Sequence, residues 1–387
     1  MAKKTKVKKK SVLLVVIIFA IIITACVLSY NIFGNNTNKG NNGNGTNNTK
    51  PPVKEEIKEK RMSLVAVGDA LIHGAVYLDA SIGNNNYDFS PMFTLVKPLI
   101  EKYDLKYYNQ ETIIGGKNLG VQHYPRFNSP DEIALNLIDL GFNLVSLANN
   151  HALDMGEAGI LNSVSFWRDK DVVVSGQNDS YEDRESKIKV YEKNGIKYAF
   201  IAYTDSTNGL AIPSGKDYLI NVYSPEQAKE DIDKIKDQVD VIIVSMHWGN
   251  EYVPVNYVQE EEAEYLSSLG VNLIIGSHPH VVQPVKYVGD TLVIYSLGNF
   301  ISGQSPLGID KIIGLMVGMD IVVKDKKVTF ENLDYKLLYT YCTSNYKNYK
   351  VIPFSDLDDS ILPNYKSYEE KYMEYITNDG AVPYAGY

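Results

Sequence analysis

Cysteine is almost absent from this chain of 387 residues, which contains only Cys26 and Cys342. Cys26 lies in an apolar N-terminal segment and Cys342 lies near the C-terminus, so the two are poor candidates for a pair. A disulfide framework is therefore excluded, and the fold must depend on its hydrophobic core. The sequence also lacks a Gly-x-Ser-x-Gly nucleophile elbow and a phosphate-binding P-loop.

Positive charge is scarce beyond the first 60 residues. The formal net charge is −9, yet residues 1–10 hold six lysines and no acid, and residues 11–60 hold five lysines against three glutamates. Removing these contributions of +6 and +2 from the total leaves −17 on residues 61–387. A domain this acidic repels phosphate backbones, so we expect no nucleic-acid partner.

The N-terminus predicts attachment to a membrane. Residues 11–33 carry no charge and are mostly Val, Ile, Leu, Phe and Ala, which is enough to span a hydrocarbon core of about 30 Å as a helix. The lysines of residues 1–10 predict a single-pass protein of the cell membrane, with its N-terminus inside and its domain outside. The alternative is a lipoprotein anchored at Cys26, because residues 23–26 resemble a lipobox. The apolar run continues past Cys26, which favours the uncleaved anchor.

Composition divides the remainder of the chain into three parts. Residues 34–61, rich in Asn and Gly and then in Pro and charge, predict a flexible linker. Residues 62–340 predict the folded domain, and residues 341–387 form a Tyr-rich C-terminal extension. Four of its tyrosines share one face of a predicted helix: Tyr365, Tyr368, Tyr372 and Tyr375. We expect this stripe to pack onto the domain, with a polymer-binding surface as the alternative.

Short apolar runs alternate with helical patterns through the domain. The buried-strand candidates are residues 64–67, 105–108, 144–147, 241–245 and 273–275, and the helix candidates include 156–168 and 225–238. This alternation predicts parallel strands in an α/β fold. Residues 189–204 predict a hairpin that turns at Asn194-Gly195, and residues 292–297 and 314–337 predict further strands, so the sheets should be mixed.

Metal-capable side chains follow five of these strands. They are Asp69 with His73, Asn109 with Glu111, Asn150 with His151, His247, and His278 with His280. Ligand sites in open α/β sheets lie beyond the carboxyl ends of the strands, so these side chains should meet at one rim. Imidazole, carboxylate and amide groups suit Mn, Fe or Zn, and two such ions can activate a water between them.

His151 is a candidate for proton transfer beside the metal. If Asn150 binds metal through its amide oxygen, His151 reaches the same rim without being a ligand, and histidine exchanges protons near neutral pH. Asp154 could hold the other ring nitrogen of His151, or it could cap the helix that follows.

Six short motifs occur in order between residue 62 and about residue 320. They are Val67-Gly68-Asp69, Asn109-Gln110-Glu111, Leu147-Ala148-Asn149-Asn150-His151 with Asp154 and Gly156, His247-Trp248-Gly249-Asn250-Glu251-Tyr252, Gly276-Ser277-His278-Pro279-His280, and Tyr295-Ser296-Leu297-Gly298-Asn299-Phe300. Together they resemble the bacterial capsule-synthesis protein CapA family. The resemblance implies a metallophosphoesterase-like four-layer sandwich, in which two mixed β-sheets are flanked by helices. It also implies a role in making, exporting or anchoring poly-γ-glutamate.

The resemblance assigns roles to individual residues. It implies metal binding by Asp69, Glu111, Asn150, His247, His278 and His280, and catalysis by His151, beside which stands Asp154. Possible additional site residues are His73, Asn109, Glu251 and Asn299. Two positions depart from the wider superfamily: Leu71 stands where a histidine is usual, and Glu111 stands where a bridging aspartate is usual. We therefore expect one or two divalent ions.

Three functions are compatible with these features. The first is a capsule-synthesis factor that acts with a membrane complex on an anionic polymer or its precursor. The second is a generic surface metallophosphatase or phosphodiesterase. The third is a non-catalytic scaffold of the capsule complex.

The anchor prediction can be tested by fractionation. Residues 61–387 expressed alone should be soluble, whereas the intact chain should sediment with membranes because of residues 11–33. Protease added to intact cells should remove the domain. Cleavage that occurs only after permeabilisation would show that the orientation is wrong.

Overall fold

The computed structural model describes residues 59–378 together with residues 382 and 383. The predicted basic tail, the anchor or lipobox segment and nearly all of the linker lie outside these residues. Among the helices that are described, none has both the length and the apolar character needed to cross a membrane.

The described residues form strands and helices that alternate along the chain. In chain order the strands are β1 (Lys60–Leu71), β2 (Ser81–Gly83), β3 (Asn86–Tyr87), β4 (Leu105–Asn109), β5 (Leu144–Ser146), β6 (Val173–Ser175), β7 (Tyr191–Lys193), β8 (Ile196–Thr204), β9 (Val241–His247), β10 (Leu273–Ser277), β11 (Val285–Val288), β12 (Thr291–Ile294), β13 (Asn299–Ser302), β14 (Ile313–Lys324), β15 (Lys327–Tyr341) and β16 (Lys350–Pro353). The α-helices are α1 (Gly74–Asp79), α2 (Lys97–Ile100), α3 (Asp131–Asp139), α4 (Gly156–Arg168), α5 (Tyr181–Lys187), α6 (Pro225–Ile235), α7 (Tyr257–Ser268) and α8 (Tyr365–Asn378).

Two mixed sheets hold nearly all of these strands. The larger sheet has the order β16-β15-β14-β1-β4-β5-β6, and β13 pairs with β1 beside this path. Strands β1, β4, β5, β6 and β13 are parallel, whereas β14, β15 and β16 join in antiparallel fashion. The smaller sheet has the order β11-β12-β10-β9-β8-β7, with a parallel centre and antiparallel strands at both edges. The predicted mixed character is confirmed.

Strict alternation along β1 explains how the layers stack. Leu64 and Ala66 join a core that also contains strands of the smaller sheet, so this core lies between the two sheets. Val65 and Val67 face the other way and pack with α3. A third core places α6 and α7 against the outer face of the smaller sheet. Strands that are buried on both faces have continuous apolar sequences. The three cores together give the predicted order of layers, which is helix, sheet, sheet and helix.

Strand β1 is longer than the apolar run predicted. The run was expected to end at Gly68-Asp69, but β1 continues to Leu71 because its last residues pair in parallel with β13. The register of this pairing shifts between Asp69 and Ala70. Asp69 therefore lies inside a strand, next to the point where the pairing changes.

The segment of residues 295–298 ties the two sheets together next to the site. The backbone nitrogen of Asp69 donates to the oxygen of Gly298 (3.0 Å), and that of Leu297 donates to the oxygen of Gly276 (3.2 Å). A Cβ atom at Gly68 would lie 1.8 Å from the Gly298 oxygen, and one at Gly276 would lie 2.0 Å from the Tyr295 oxygen. Only glycine allows the two backbones to come this close. This explains why Gly68 precedes Asp69 and why Gly276 begins the Gly276-Ser277-His278-Pro279-His280 motif.

The C-terminal extension is built into the domain. Strand β16 pairs with β15 at the edge of the larger sheet, and Tyr372 and Tyr375 of α8 are buried in the core between the sheets. Tyr365 and Tyr368 are partly buried against the same core. This confirms that the tyrosine stripe packs onto the domain.

Substitution of Tyr372 tests this packing. The Tyr372 ring is buried and its hydroxyl has no hydrogen-bond partner among the described residues. Tyr372→Ala should lower the free energy of unfolding by about 3–5 kcal/mol, as large aromatic truncations do in cores. The control Tyr372→Phe should be neutral or slightly stabilising, because it removes an unpaired buried hydroxyl. Denaturant unfolding of both variants gives the answer, and equal stability of the two would contradict the packing.

Candidate metal centre

Glu111 is a buried carboxylate that follows β4. Within the part of the chain that the structure describes, neither of its carboxylate oxygens has a hydrogen-bond partner. Its Oε1 lies 3.5 Å from Nε2 of His280 and 3.8 Å from Nε2 of His247. Burial raises the pKa of Glu111 well above its ordinary value, and the nearby His280 opposes this effect. A carboxylate in this position is stabilised in its charged form only by a cation.

Asp69 and His280 form the next part of the site. Asn109 Nδ2 donates to Asp69 Oδ1 (2.8 Å), and Asp69 Oδ2 lies 3.4 Å from Nδ1 of His280. Burial would lower the pKa of His280, but the carboxylates of Glu111 and Asp69 outweigh it and raise this pKa to about 9. Nδ1 of His280 also lies 3.0 Å from Oδ1 of Asn299. Asn299 is fixed in turn, since its Nδ2 donates to Gln304 and to the backbone of Lys311.

His247 joins the two sheets at the centre of the site. It ends β9, and its Nε2 lies 3.0 Å from Oδ1 of Asn150, which comes from the larger sheet. Its Nδ1 lies 2.9 Å from Oγ of Ser277 and 3.3 Å from Nδ2 of Asn109. Burial lowers the pKa of His247 well below its ordinary value, which favours the neutral ring that binds metal, whereas His280 would have to release its proton to bind an ion.

The His-Pro-His turn holds two imidazoles in a strained conformation. His278 has φ +95° and His280 has φ +57°, both in the region that favours glycine. The Nδ1 atom of His278 is buried and has no partner among the residues described, and burial lowers the pKa of this histidine to about 3. Strain of this kind persists where the surrounding structure enforces it, which is typical of functional sites.

The donor set fits a divalent transition metal. Three buried atoms of this set have no hydrogen-bond partner among the described residues: both carboxylate oxygens of Glu111 and Nδ1 of His278. The same is true of Oδ1 of the neighbouring Asn109. Donor atoms of Glu111, His278 and His280 lie within 4.8 Å of one another. Carboxylate, imidazole and amide oxygen together match the preferences of Mn, Fe and Zn. The residues that would hold such an ion are Asp69, Glu111, Asn150, His247, His278 and His280.

Two of the possible additional residues lie apart from this donor set. Nδ1 of His73 lies 3.1 Å from the Leu71 oxygen and accepts from the backbone nitrogen of Gly303 (3.1 Å), while the His73 ring packs on Phe127. Glu251 is exposed. Both line the cleft described below, whereas Asn109 and Asn299 contact the proposed ligands directly. Leu71, which stands where the sequence resemblance leads us to expect a histidine, is buried and supplies no donor.

His151 and Asp154 form a hydrogen-bonded pair. Nδ1 of His151 lies 2.7 Å from Oδ2 of Asp154, and the same oxygen accepts from the backbone nitrogen of Phe127 (2.7 Å). The helix α4 begins after Met155 and has no side-chain cap, so Asp154 orients the histidine and does not cap the helix. This arrangement fixes Nδ1–H toward Asp154 and leaves Nε2 for a reacting group.

A cleft of about 830 Å³ opens beside this pair. Its lining includes His73, His151, Asp154 and Glu251, together with Tyr252 and the apolar side chains of Leu210 and Leu307. Clefts of this size accommodate ligands much larger than a single phosphate group.

Three supporting residues could not be found from sequence patterns. Asn208 accepts from Nδ2 of Asn150 (3.2 Å), which turns the amide oxygen of Asn150 toward His247. Ser277 fixes the ring of His247, and Phe127 supports both Asp154 and His151. Only Ser277 lies in a motif, and the other two are ordinary loop residues whose role depends on the path of the chain.

Comparison with known proteins identifies a family whose profile matches this chain. The family profile described as "Bacterial capsule synthesis protein PGA_cap" matches residues 63–304, which is more than half of the chain. The chain is 32% identical over 170 residues to "PGA biosynthesis protein CapA" of Bacillus subtilis (strain 168), covering 43% of this chain and 44% of that protein. It is 27% identical over 269 residues to "Capsule biosynthesis protein CapA" of Bacillus anthracis, covering 65% and 62%. The chain thus spans about half of the length of these relatives.

Solved structures show a distant similarity of fold. A novel phosphatase from Mycoplasma pneumoniae matches with a TM-score of 0.48 and 16% identity, covering 75% of this chain and 97% of that one. The calcineurin-like phosphoesterase YfkN from Bacillus subtilis matches with a TM-score of 0.45 and 15% identity, covering 82% and 99%.

Metal binding is the first property to measure. Elemental analysis of the full chain supplemented with Mn, Fe and Zn should find one or two ions, and chelation should lower the melting temperature because the ion binds only the folded state. His278→Ala should lose metal, because it removes a ligand beside Glu111. His123→Ala should keep it, since His123 is exposed and outside the site. A protein without metal after supplementation would contradict the assignment.

Proposed function

Because this chain belongs to the bacterial capsule synthesis protein PGA_cap family, as its motifs predicted, we propose that it acts in the synthesis, export or anchoring of a poly-γ-glutamate capsule. The family membership rests on the match to residues 63–304. The polymer is proposed from the resemblance, since the relatives are named for PGA and capsule biosynthesis and the chain spans only part of their length.

The reaction we propose is metal-dependent hydrolysis. The observation that carries it is the position of the His151–Asp154 pair on a cleft beside a buried set of imidazole and carboxylate donors around Glu111. A divalent ion bound by these donors would activate water at neutral pH and polarise the scissile group. Mn, Fe and Zn all suit the donors.

The protein residues have separate tasks in this proposal. Nε2 of His151 donates a proton to the leaving oxygen or nitrogen, and Asp154 holds the other ring nitrogen so that the tautomer is correct. The Phe127 nitrogen donates to the same Asp154 oxygen and keeps the carboxylate in place. Asn208 orients Asn150, and Asn299 orients His280.

The proposed location is the outer face of the cell membrane. It rests on the uncharged residues 11–33 behind six lysines, with lipidation at Cys26 as the alternative. The proposed partners are a capsule-synthesis membrane complex and the anionic polymer or its precursor.

A non-catalytic scaffold is the second candidate, and one observation favours it. Leu71 occupies the position of a metal-binding histidine, and His73 lies on the cleft wall away from the proposed ligands, so one of two metal positions has fewer protein ligands. Fewer ligands weaken metal retention and can leave the fold without turnover.

Paired substitutions separate the two candidates. His151→Ala should reduce capsule formation and hydrolysis by about 10²–10⁴-fold, the usual contribution of general acid catalysis, while its metal content stays at the wild-type level. Asp154→Asn should give a smaller loss, because the imidazole of His151 remains and the change affects its orientation and the contact with the Phe127 nitrogen. Capsule polymer, hydrolysis and metal are measured on each variant beside His278→Ala. Equal metal loss in the His151 and His278 variants would contradict the general-acid role, and full capsule production by a metal-free His278 variant would exclude catalysis.

A further inference from the structure

Arg126 differs from the other arginines of the chain. The sequence has four, and three of them bind carboxylates: Arg61 with Asp320 and Glu331, Arg168 with Asp179, and Arg184 with Asp231. Within the part of the chain that the structure describes, the Arg126 side chain makes no ion pair or hydrogen bond and is exposed. A guanidinium without a partner is available to bind an anion.

Arg126 lies on the cleft beside the His151–Asp154 pair. It lines the cleft together with His73, His151, Asp154 and Glu251. No other arginine and no lysine of the described residues lines this cleft. Because residues 61–387 carry a net charge of −17, an anionic substrate is repelled by most of the domain, and Arg126 supplies the local attraction.

The loop that carries Arg126 is held firmly next to the catalytic pair. Gln122 and Asn128 exchange two backbone hydrogen bonds (3.0 and 3.1 Å), which closes the loop of residues 122–128. Asn128 is itself fixed, because its Oδ1 accepts from the Gly115 nitrogen and its Nδ2 donates to two backbone oxygens. An anchored backbone presents its side chain with little loss of chain entropy on binding.

Phe127 links this loop to His151. Its backbone nitrogen donates to Asp154, and its ring meets His151 edge-on with a centroid distance of 4.7 Å. On its other side the same ring contacts His73 at 5.3 Å. Arg126 is the adjacent residue and lines the same cleft as His151, so an anion bound there lies in the cleft that holds the proposed proton donor.

We propose that Arg126 forms a subsite for an oxyanion of the substrate, a carboxylate or a phosphate that is not the reacting group. The proposal rests on the proposed function and specifies the substrate of that site as a chain with repeated or neighbouring anionic groups. The planar guanidinium binds either oxyanion through two parallel hydrogen bonds. The cleft of about 830 Å³ has room for the unit next to the one that reacts.

Asn208 provides a second donor on the same cleft. Its Oδ1 is used by Asn150, and its Nδ2 has no acceptor among the described residues. The amide group therefore faces the substrate with a fixed orientation, since a flipped amide would lose the bond to Asn150.

Binding to the metal-loaded full chain in detergent tests the subsite. The probes are a short γ-linked glutamate oligomer, the same oligomer with its free carboxyl groups amidated, and glycerol phosphate, and dissociation constants are measured by calorimetry. Arg126→Gln should weaken binding of the anionic probes by about 10- to 100-fold, the effect of losing a hydrogen-bonded charge. Arg126→Lys should recover part of the loss, because it keeps the charge but not the paired geometry.

Arg168→Gln is the matched control. It removes the same charge from an exposed arginine that does not line this cleft, and it should leave binding unchanged. The amidated oligomer should bind wild type and Arg126→Gln equally. A carboxylate source is indicated if the glutamate oligomer alone responds to Arg126→Gln, and a phosphate source if glycerol phosphate alone responds.

Several results would overturn the subsite. They are wild-type affinity of Arg126→Gln for both anionic probes, an equal loss in Arg168→Gln, and no binding of either anionic probe by wild type. The proposed hydrolysis fails separately. If His151→Ala keeps full activity while Arg126→Gln still weakens binding, the subsite stands and the reaction is wrong.

Discussion

A buried carboxylate without donors is the constraint on which the rest of this structure depends. Glu111 is removed from water, yet no backbone or side-chain group of residues 59–378 donates to it. Such a group is costly unless it is neutralised by protonation or by a cation. The protein surrounds it with three histidines, two of them at positive φ, a conformation that costs further free energy. A cation bound at this residue would therefore stabilise the folded state as well as complete the site.

Much of the fold could be predicted because a strand that is buried on both faces has a continuous run of apolar residues. The runs at 64–67, 105–108 and 241–245 all became strands of the two sheets, and helix α4 has the bounds that its pattern gave. What the sequence could not show is pairing between distant strands. The extension of β1 to Leu71 results from its contact with β13, more than 200 residues away, and no local pattern encodes that partner.

The residues that offer metal donors could be predicted from the sequence. The residues that orient them could be predicted less well. Histidines and carboxylates after strands indicate a rim in any parallel sheet, and this logic brought Asp69, Glu111, His247 and His280 together. The same reasoning also included His73, because closeness to a strand end in the sequence does not show which way a side chain points. The sequence left two roles open for Asp154, which were to hold the ring of His151 or to cap the next helix. The structure decides between them, because α4 begins after Met155 and has no side-chain cap in the described residues. Asn208 and Arg126 come from loops, where composition carries no geometric information.

The central position of β1 has a consequence for how the molecule is made. Ala66 pairs with Val317, roughly 250 residues later, so the strand that carries Asp69 waits for most of the domain before its antiparallel neighbour exists. At ribosomal speeds of about 5–20 residues per second, that delay lasts roughly ten to fifty seconds. Until then the edge of β1 from Lys60 to Ala66 has no partner, so the position of Asp69 becomes fixed only late in synthesis.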